Sequence, residues 1–245
     1  QPLSIASAEV FGATLAAAGV VVDRAERAKR IRTSLDQSAE AANGTPDCPE
    51  SLFEELVDLV EDPRILEGTI AERFLQLPPE VISTVMQAHQ RYVPLQVLGL
   101  EADPLRLTAK SVLRPKFLLV GNGLAAASSL IVRGNERVLG ARLADAEFFL
   151  DVDRRQSSAS RREALDRVTF AEGLGSLLDR SERIQQLTGL MLKQLGLDQS
   201  VADASQRAAF YCKNDLVSQM VGEFPELQGL MGGTYLLAEG ASREV

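Results

Sequence analysis

The chain has 245 residues, 45% of them hydrophobic, 24% charged and 5% aromatic, with no Trp. These values exclude a disordered or low-complexity protein, and the length suits two domains with cores of Leu, Val, Ile and Ala. The net charge of −8 argues against a general affinity for nucleic acid, yet residues 105–165 carry 11 basic and 6 acidic groups, against 8 and 17 in residues 1–104 and 7 and 11 in residues 166–245.

The first 125 residues mix strand and helix signals. Pro2 to Ser7 reads as a brief strand, after which Ser7 caps a helix to about Ala18, ending at Gly19. Val20 to Val22 is strand-like, and Asp23 caps a long charged helix that stops near Ala42. A further helix puts Leu52, Leu56 and Leu59 or Val60 on one stripe and ends at Asp62-Pro63. Arg64 to Ile70 follows as a strand, and Pro78-Pro79 opens a helix at the position where a missing N–H costs little. Arg91 to Val97 and Lys116 to Gly123 read as two strands able to pair antiparallel.

From about Ala126 the pattern is helical. Leu139, Leu143, Ala146 and Leu150 recur at spacings of four, three and four, which marks one buried face. Gly175 to Gly196 and Ser200 to Pro225 repeat that period over longer spans, and the second would place Asp215, Gln219 and Glu223 on one helical face. The polar, serine-rich stretch Arg154 to Arg162 reads as a linker. The expected class is therefore α+β: a mixed region of short antiparallel strands and helices over residues 1–157, then an all-α domain over residues 158–245.

Chemistry-bearing patterns are sparse. His89 is the only histidine, and with no neighbouring Cys it cannot build a transition-metal site; it reads as a surface residue near a helix C-terminus. No G-x-S-x-G turn is present, and Val120 to Ser129 lacks both the P-loop Lys and the spacing of a dinucleotide fingerprint, so it reads as a strand end and turn. Neither a catalytic nor a metal-ligating residue is expected. Cys48 and Cys212 stand far apart, which points to a reducing, cytoplasmic setting, and no apolar run approaches the ~20 residues of a membrane span. The start at Gln1, directly before strand-like residues, reads as a piece of a longer protein.

Four stretches carry a resemblance: Leu77 to Pro94, Arg133 to Phe149, Glu172 to Ile184 and Asn214 to Gly232. In order and spacing they resemble the large (beta) subunit of the bacterial heterotetrameric glycyl-tRNA synthetase. The resemblance implies an enzyme of two small and two large subunits that joins glycine to tRNA(Gly) with ATP and magnesium. The active site would lie on the small, alpha subunit, and the large subunit would bind tRNA. It implies as well that the helical domain after residue 158 is the start of an HD-like domain. Where family members carry a His-Asp or similar pair this chain has Ala238-Glu239, so that domain is expected to be a scaffold without hydrolytic activity. An HD-type metal phosphohydrolase and a purely subunit-docking module are the alternatives.

Three arginines stand out in the basic segment. With Gly134 allowing a turn and Asn135 as N-cap, a helix is expected to start at Glu136, leaving Arg133, Asn135 and Arg137 around an N-terminus that attracts phosphate. For Arg133 and Arg137 both RNA contact and intramolecular ion pairing stay open. Arg142 is expected to pair with Asp145, three residues on. Gly140 at mid-helix suggests that another backbone packs closely there.

Overall fold

The computed structural model describes residues 3–100, 103–122 and 125–245. The chain divides into two compact units, one of residues 1–102 and 108–143, the other of residues 103–107 and 144–245. The division falls after Leu143, inside a helix, whereas the sequence reading put it near residue 158. No helix among the described residues is long and apolar enough to cross a membrane.

The first unit is α+β. Leu3 to Ser7 is irregular rather than a strand, and helix α1 spans Phe11–Ala17. Val20 to Val22 is no strand either: Val21 is buried and makes a single backbone bond, to the Glu61 carbonyl. Asp23 caps α2 (Arg24–Ala41) as expected, its carboxylate accepting from the Glu26 N–H at 3.0 Å. Helix α3 spans Glu50–Leu59 and buries Leu52, Phe53, Leu56 and Val57, while Leu59 faces solvent.

Four strands form an antiparallel sheet in the order β1-β3-β4-β2, with β1 at Gly44–Pro46, β2 at Pro63–Thr69, β3 at Val93–Val97 and β4 at Leu113–Asn122. The pairing of β3 with β4 follows the sequence reading, whereas β1 lies in a stretch read only as a helix stop. Pro94 occupies a central strand, where a missing donor would normally break the ladder. It sits at a register shift between Pro94 and Gln96, and its carbonyl accepts from the Asp47 N–H instead.

Both faces of the sheet are covered. Ile31, Leu35 and Ala39 of α2 and Leu52, Phe53, Leu56 and Val57 of α3 form one apolar cluster with Val93, Leu95 and Leu118. On the alternate strand positions Phe117 stacks on Tyr92 with ring centroids 4.8 Å apart. Phe117 faces Gly68 across the ladder, and a Cβ built on Gly68 would lie 2.4 Å from the ring. Helix α4 (Pro79–Thr84) opens on its proline pair and continues as a π turn over Val85–His89.

Helix α5 runs from Ser128 to Asp153; residues up to Leu143 belong to the first unit and those from Ala144 to the second. In the second unit the serine-rich stretch is not a linker. It is helix α6 (Ser158–Ala164), capped by Ser157, and it buries Ser158, Arg161 and Arg162. A two-stranded hairpin, β5 (Thr169–Ala171) with β6 (Gly175–Ser176), interrupts the expected all-helical pattern. Helix α7 (Leu177–Leu195) follows, with a capping box between Ser176 and Asp179 and a left-handed Gly196 at its end.

The helix expected over Ser200 to Pro225 is broken. Helix α8 ends at Tyr211 after starting at Gln199, and Lys213 turns the chain through a left-handed backbone at φ 72°. A 3-10 turn (Asn214–Val217), the short α9 (Gln219–Glu223) and α10 (Leu230–Ala238) complete the unit.

Candidate functional site

Helix α5 begins eight residues before Glu136, since its first residue is Ser128. Arg133, Asn135 and Arg137 therefore lie within the helix and not around its N-terminus, which removes the physical ground for a phosphate site made of free amide donors. Asn135 is no cap. Its amide nitrogen donates to the Ile131 carbonyl at 2.7 Å, one helical turn back, and its oxygen accepts from the Tyr92 hydroxyl beside the sheet. That cross-element bond holds this part of α5 in a helix where local signals favour a start.

Arg133 and Arg137 are exposed and make no ion pair among the described residues. Helical rotation of ~100° per residue puts them about 40° apart, so they stand one turn from each other on one face. Arg142 is half-buried and Asp145 exposed further along α5.

Beside that face lies a cleft of about 250 Å³ belonging wholly to the first unit. Ile70, Phe74, Leu139 and Leu143 line it and are buried, so its floor is apolar. Gly140 forms part of its wall, and a Cβ added there would meet nothing within 4 Å. The expectation that a neighbouring backbone crowds Gly140 is thus corrected: the missing side chain opens a cleft. Glu136, also on the wall, accepts from the Thr69 N–H at 2.8 Å and the Thr69 hydroxyl at 2.7 Å, both through Oε1. Oε2 makes no hydrogen bond among the described residues.

The second unit contains a buried polar core that periodicity could not reveal. Asp153, the last residue of α5, accepts from the Gln219 N–H at 2.8 Å, the Met220 N–H at 3.0 Å and the Tyr235 hydroxyl at 2.6 Å. It thereby caps α9 from a distance of 66 residues in sequence and ties α10 to the same point. Burial and this carboxylate push the Tyr235 phenol well above its ordinary pKa. Asp215 does the same for α10, accepting from the Gly229 and Gly232 N–H groups at 2.6 and 3.0 Å. With Asp215 buried in a 3-10 turn and Gln219 and Glu223 exposed on a separate helix, the acidic face expected of these three residues does not form.

Arg161 is 1% exposed. Its guanidinium donates to the carbonyls of Asp153 and Gln156 at 2.8 and 2.7 Å, and it lies over the Tyr235 ring at 4.3 Å. Glu239 completes the arrangement, accepting from the Ser158 N–H at 2.8 Å and pairing with Arg161 at 3.3 Å. Glu239, set where the resemblance expects a His-Asp pair, therefore serves as an anchor for the start of α6.

No group of three His, Cys, Asp or Glu side chains among the described residues is placed to hold a metal ion. His89 ends the π turn after α4, half-buried. Cys48 and Cys212 are thiols, half-buried in different units, and burial pushes the Cys48 thiol up to about 11 and raises Cys212 as well. Neither is an activated nucleophile.

A family profile described as glycyl-tRNA synthetase beta subunit matches residues 1–245. Among curated proteins, the glycine–tRNA ligase beta subunit of Acaryochloris marina is 41% identical over 245 residues, 100% of this chain and 33% of that protein. The counterpart of Acidithiobacillus ferrooxidans is 40% identical over 245 residues, again 33% of its length. That of Neisseria meningitidis is 40% identical over 244 residues, 99% of this chain and 34% of the relative. The chain thus spans about a third of the length of these relatives.

Proposed function

Because the chain belongs to the glycyl-tRNA synthetase beta subunit family, we propose that it is a tRNA-binding and structural part of that enzyme's large subunit. In this reading it supports the ATP-dependent attachment of glycine to tRNA(Gly) in the cytoplasm. The active site, with its ATP and magnesium, lies on the alpha subunit, and no side chain described above is assigned a step of the reaction. Tyr235, Asp153 and Arg161 are committed to one another inside the second unit and maintain its fold.

The observation that carries RNA contact is the pair Arg133 and Arg137, exposed without ion-pair partners inside the one basic segment of an acidic chain. Two guanidiniums one helical turn apart suit successive phosphates on a backbone. The test is Arg133→Ala with Arg137→Ala in the full-length subunit assembled with its alpha partner. tRNA(Gly) affinity should fall, and the dependence of log affinity on log salt should flatten by about 1.4 to 1.8 for two phosphate contacts. Unchanged affinity and slope would remove these residues from the RNA interface.

A second reading, subunit docking, draws support from α7. Leu187, Leu190, Met191 and Leu195 are exposed at spacings that place them on one stripe of that helix. Leu190→Glu with Met191→Glu should weaken co-purification with the alpha subunit if the stripe serves assembly.

A further inference from the structure

We propose that the cleft beside Gly140 takes a single unstacked nucleobase, one bearing an exocyclic amine, while Arg133 and Arg137 hold the adjoining phosphates. The proposal deepens the RNA-binding reading above and rests on it.

Four observations converge on this occupant. First comes size: about 250 Å³ accommodates one flat heteroaromatic ring and falls below the ~300–1,000 Å³ of pockets for larger ligands. Second is the lining, since Ile70, Phe74, Leu139 and Leu143 give an apolar floor on which a flat ring can rest, the Phe74 ring itself being taken up by the Arg73 guanidinium at 4.4 Å.

Third, the one charged group on the wall is an acceptor. Glu136 Oε1 is saturated by Thr69, which fixes the carboxylate, and Oε2 is left to receive an N–H from a ligand. Carboxylates read the amino group of cytosine in this way. Uracil has no amino group and offers only its ring N–H.

Fourth is charge complementarity at the rim. By helical rotation Arg133, Arg137 and Gly140 fall within about 60° of one another on α5, so both cations share the helix side that carries Gly140 and flank the cleft without lining it. A purely apolar side chain of a protein partner would use the floor and leave the two arginines and the Glu136 oxygen unanswered. A nucleotide answers all three.

The experiment uses the 245-residue chain, a short labelled oligocytidylate, the matching oligouridylate and an RNA duplex of equal length, with binding read by fluorescence anisotropy. Gly140→Leu fills the cleft from its open side and adds a better helix former, so thermal melting should show the fold retained. It should weaken oligocytidylate binding about tenfold while leaving the duplex affinity and the salt slope unchanged. Glu136→Gln keeps an oxygen for Thr69 and turns an amine outward, which should erase a roughly tenfold preference for cytidylate over uridylate. Arg133→Ala with Arg137→Ala should lower every affinity and flatten the salt slope for the single strands by about 1.4.

Equal binding of cytidylate by Gly140→Leu and the unaltered chain, or no binding by the unaltered chain, overturns the proposal. If the cleft variants are silent while the arginine variant loses tRNA affinity in the assembled enzyme, the base pocket falls and the RNA-binding reading stands. If neither set changes RNA binding, both fall.

Discussion

Two glycines of the first unit show how opposite a missing side chain can be in its consequences. At Gly68 the ring of Phe117, 0% exposed and stacked on Tyr92, occupies the space a Cβ would need. Gly68→Ala should cost about 1–3 kcal/mol by overpacking, read as a lower urea midpoint. At Gly140 nothing lies within 4 Å, so Gly140→Ala should gain about 1 kcal/mol of helix propensity. A loss of stability there would show that the cleft is more crowded than its geometry indicates. In the second unit, Arg161→Met keeps the volume but abandons the carbonyls of Asp153 and Gln156 and half of the Glu239 pair. Unfolding should become easier by about 1–3 kcal/mol for each carbonyl left unpaired, and Arg161→Lys should restore little because an ammonium cannot span those acceptors at once. Single-sequence reasoning singled out Arg133 and Arg137 but none of these dependencies. Phe117 against Gly68 and Glu239 beside Arg161 meet from far along the chain, and no local spacing encodes such contacts.

Among elements, α7 offers the clearest link between sequence and stability. Ser176 and Asp179 form the capping box that "SLLD" announces, and the Ser176 N–H and hydroxyl hold the Asp179 carboxyl below its ordinary value of 3.8. The folded chain therefore binds this proton more weakly than the unfolded chain. The cap's contribution is complete above the ordinary value and fades as pH falls through the lowered one. Helical circular dichroism of the unaltered chain and of Asp179→Ala should differ at neutral pH and converge as acidification passes the lowered value. A difference that persists in acid would deny the cap its role. The elements misread from sequence failed for the opposite reason. Gly134 and Asn135 are proper local start signals, but the Tyr92 hydroxyl claims the Asn135 oxygen and the helix continues through them. Apolar periodicity runs on past Tyr211, yet Asp153 and Asp215 supply remote caps that let the chain stop and start again at α9 and α10. Caps from distant carboxylates leave no trace in a window of neighbouring residues.

At the scale of the whole molecule, the alternation of strand and helix signals along the first half foretold the mixed class, while the partition into two compact units needed the contacts themselves. The acidic balance gives a pI near 4.9, so charge repulsion between copies vanishes close to pH 5. With the α7 stripe exposed, light scattering by the 245-residue chain should rise near that pH and fall at neutral pH. Leu190→Glu with Met191→Glu should suppress the rise, and an unaffected rise would assign the association to another surface.

The three residues of β1 matter beyond the register they set. As the outer strand on that side of the sheet it is very short, and it ends in Pro46, which has no N–H to offer. A strand from another molecule approaching this border would find too few donors and acceptors to extend the ladder. The chain is thereby shielded on one flank from the cross-molecular pairing that seeds fibrils, by a stretch that looks in the sequence like nothing more than punctuation.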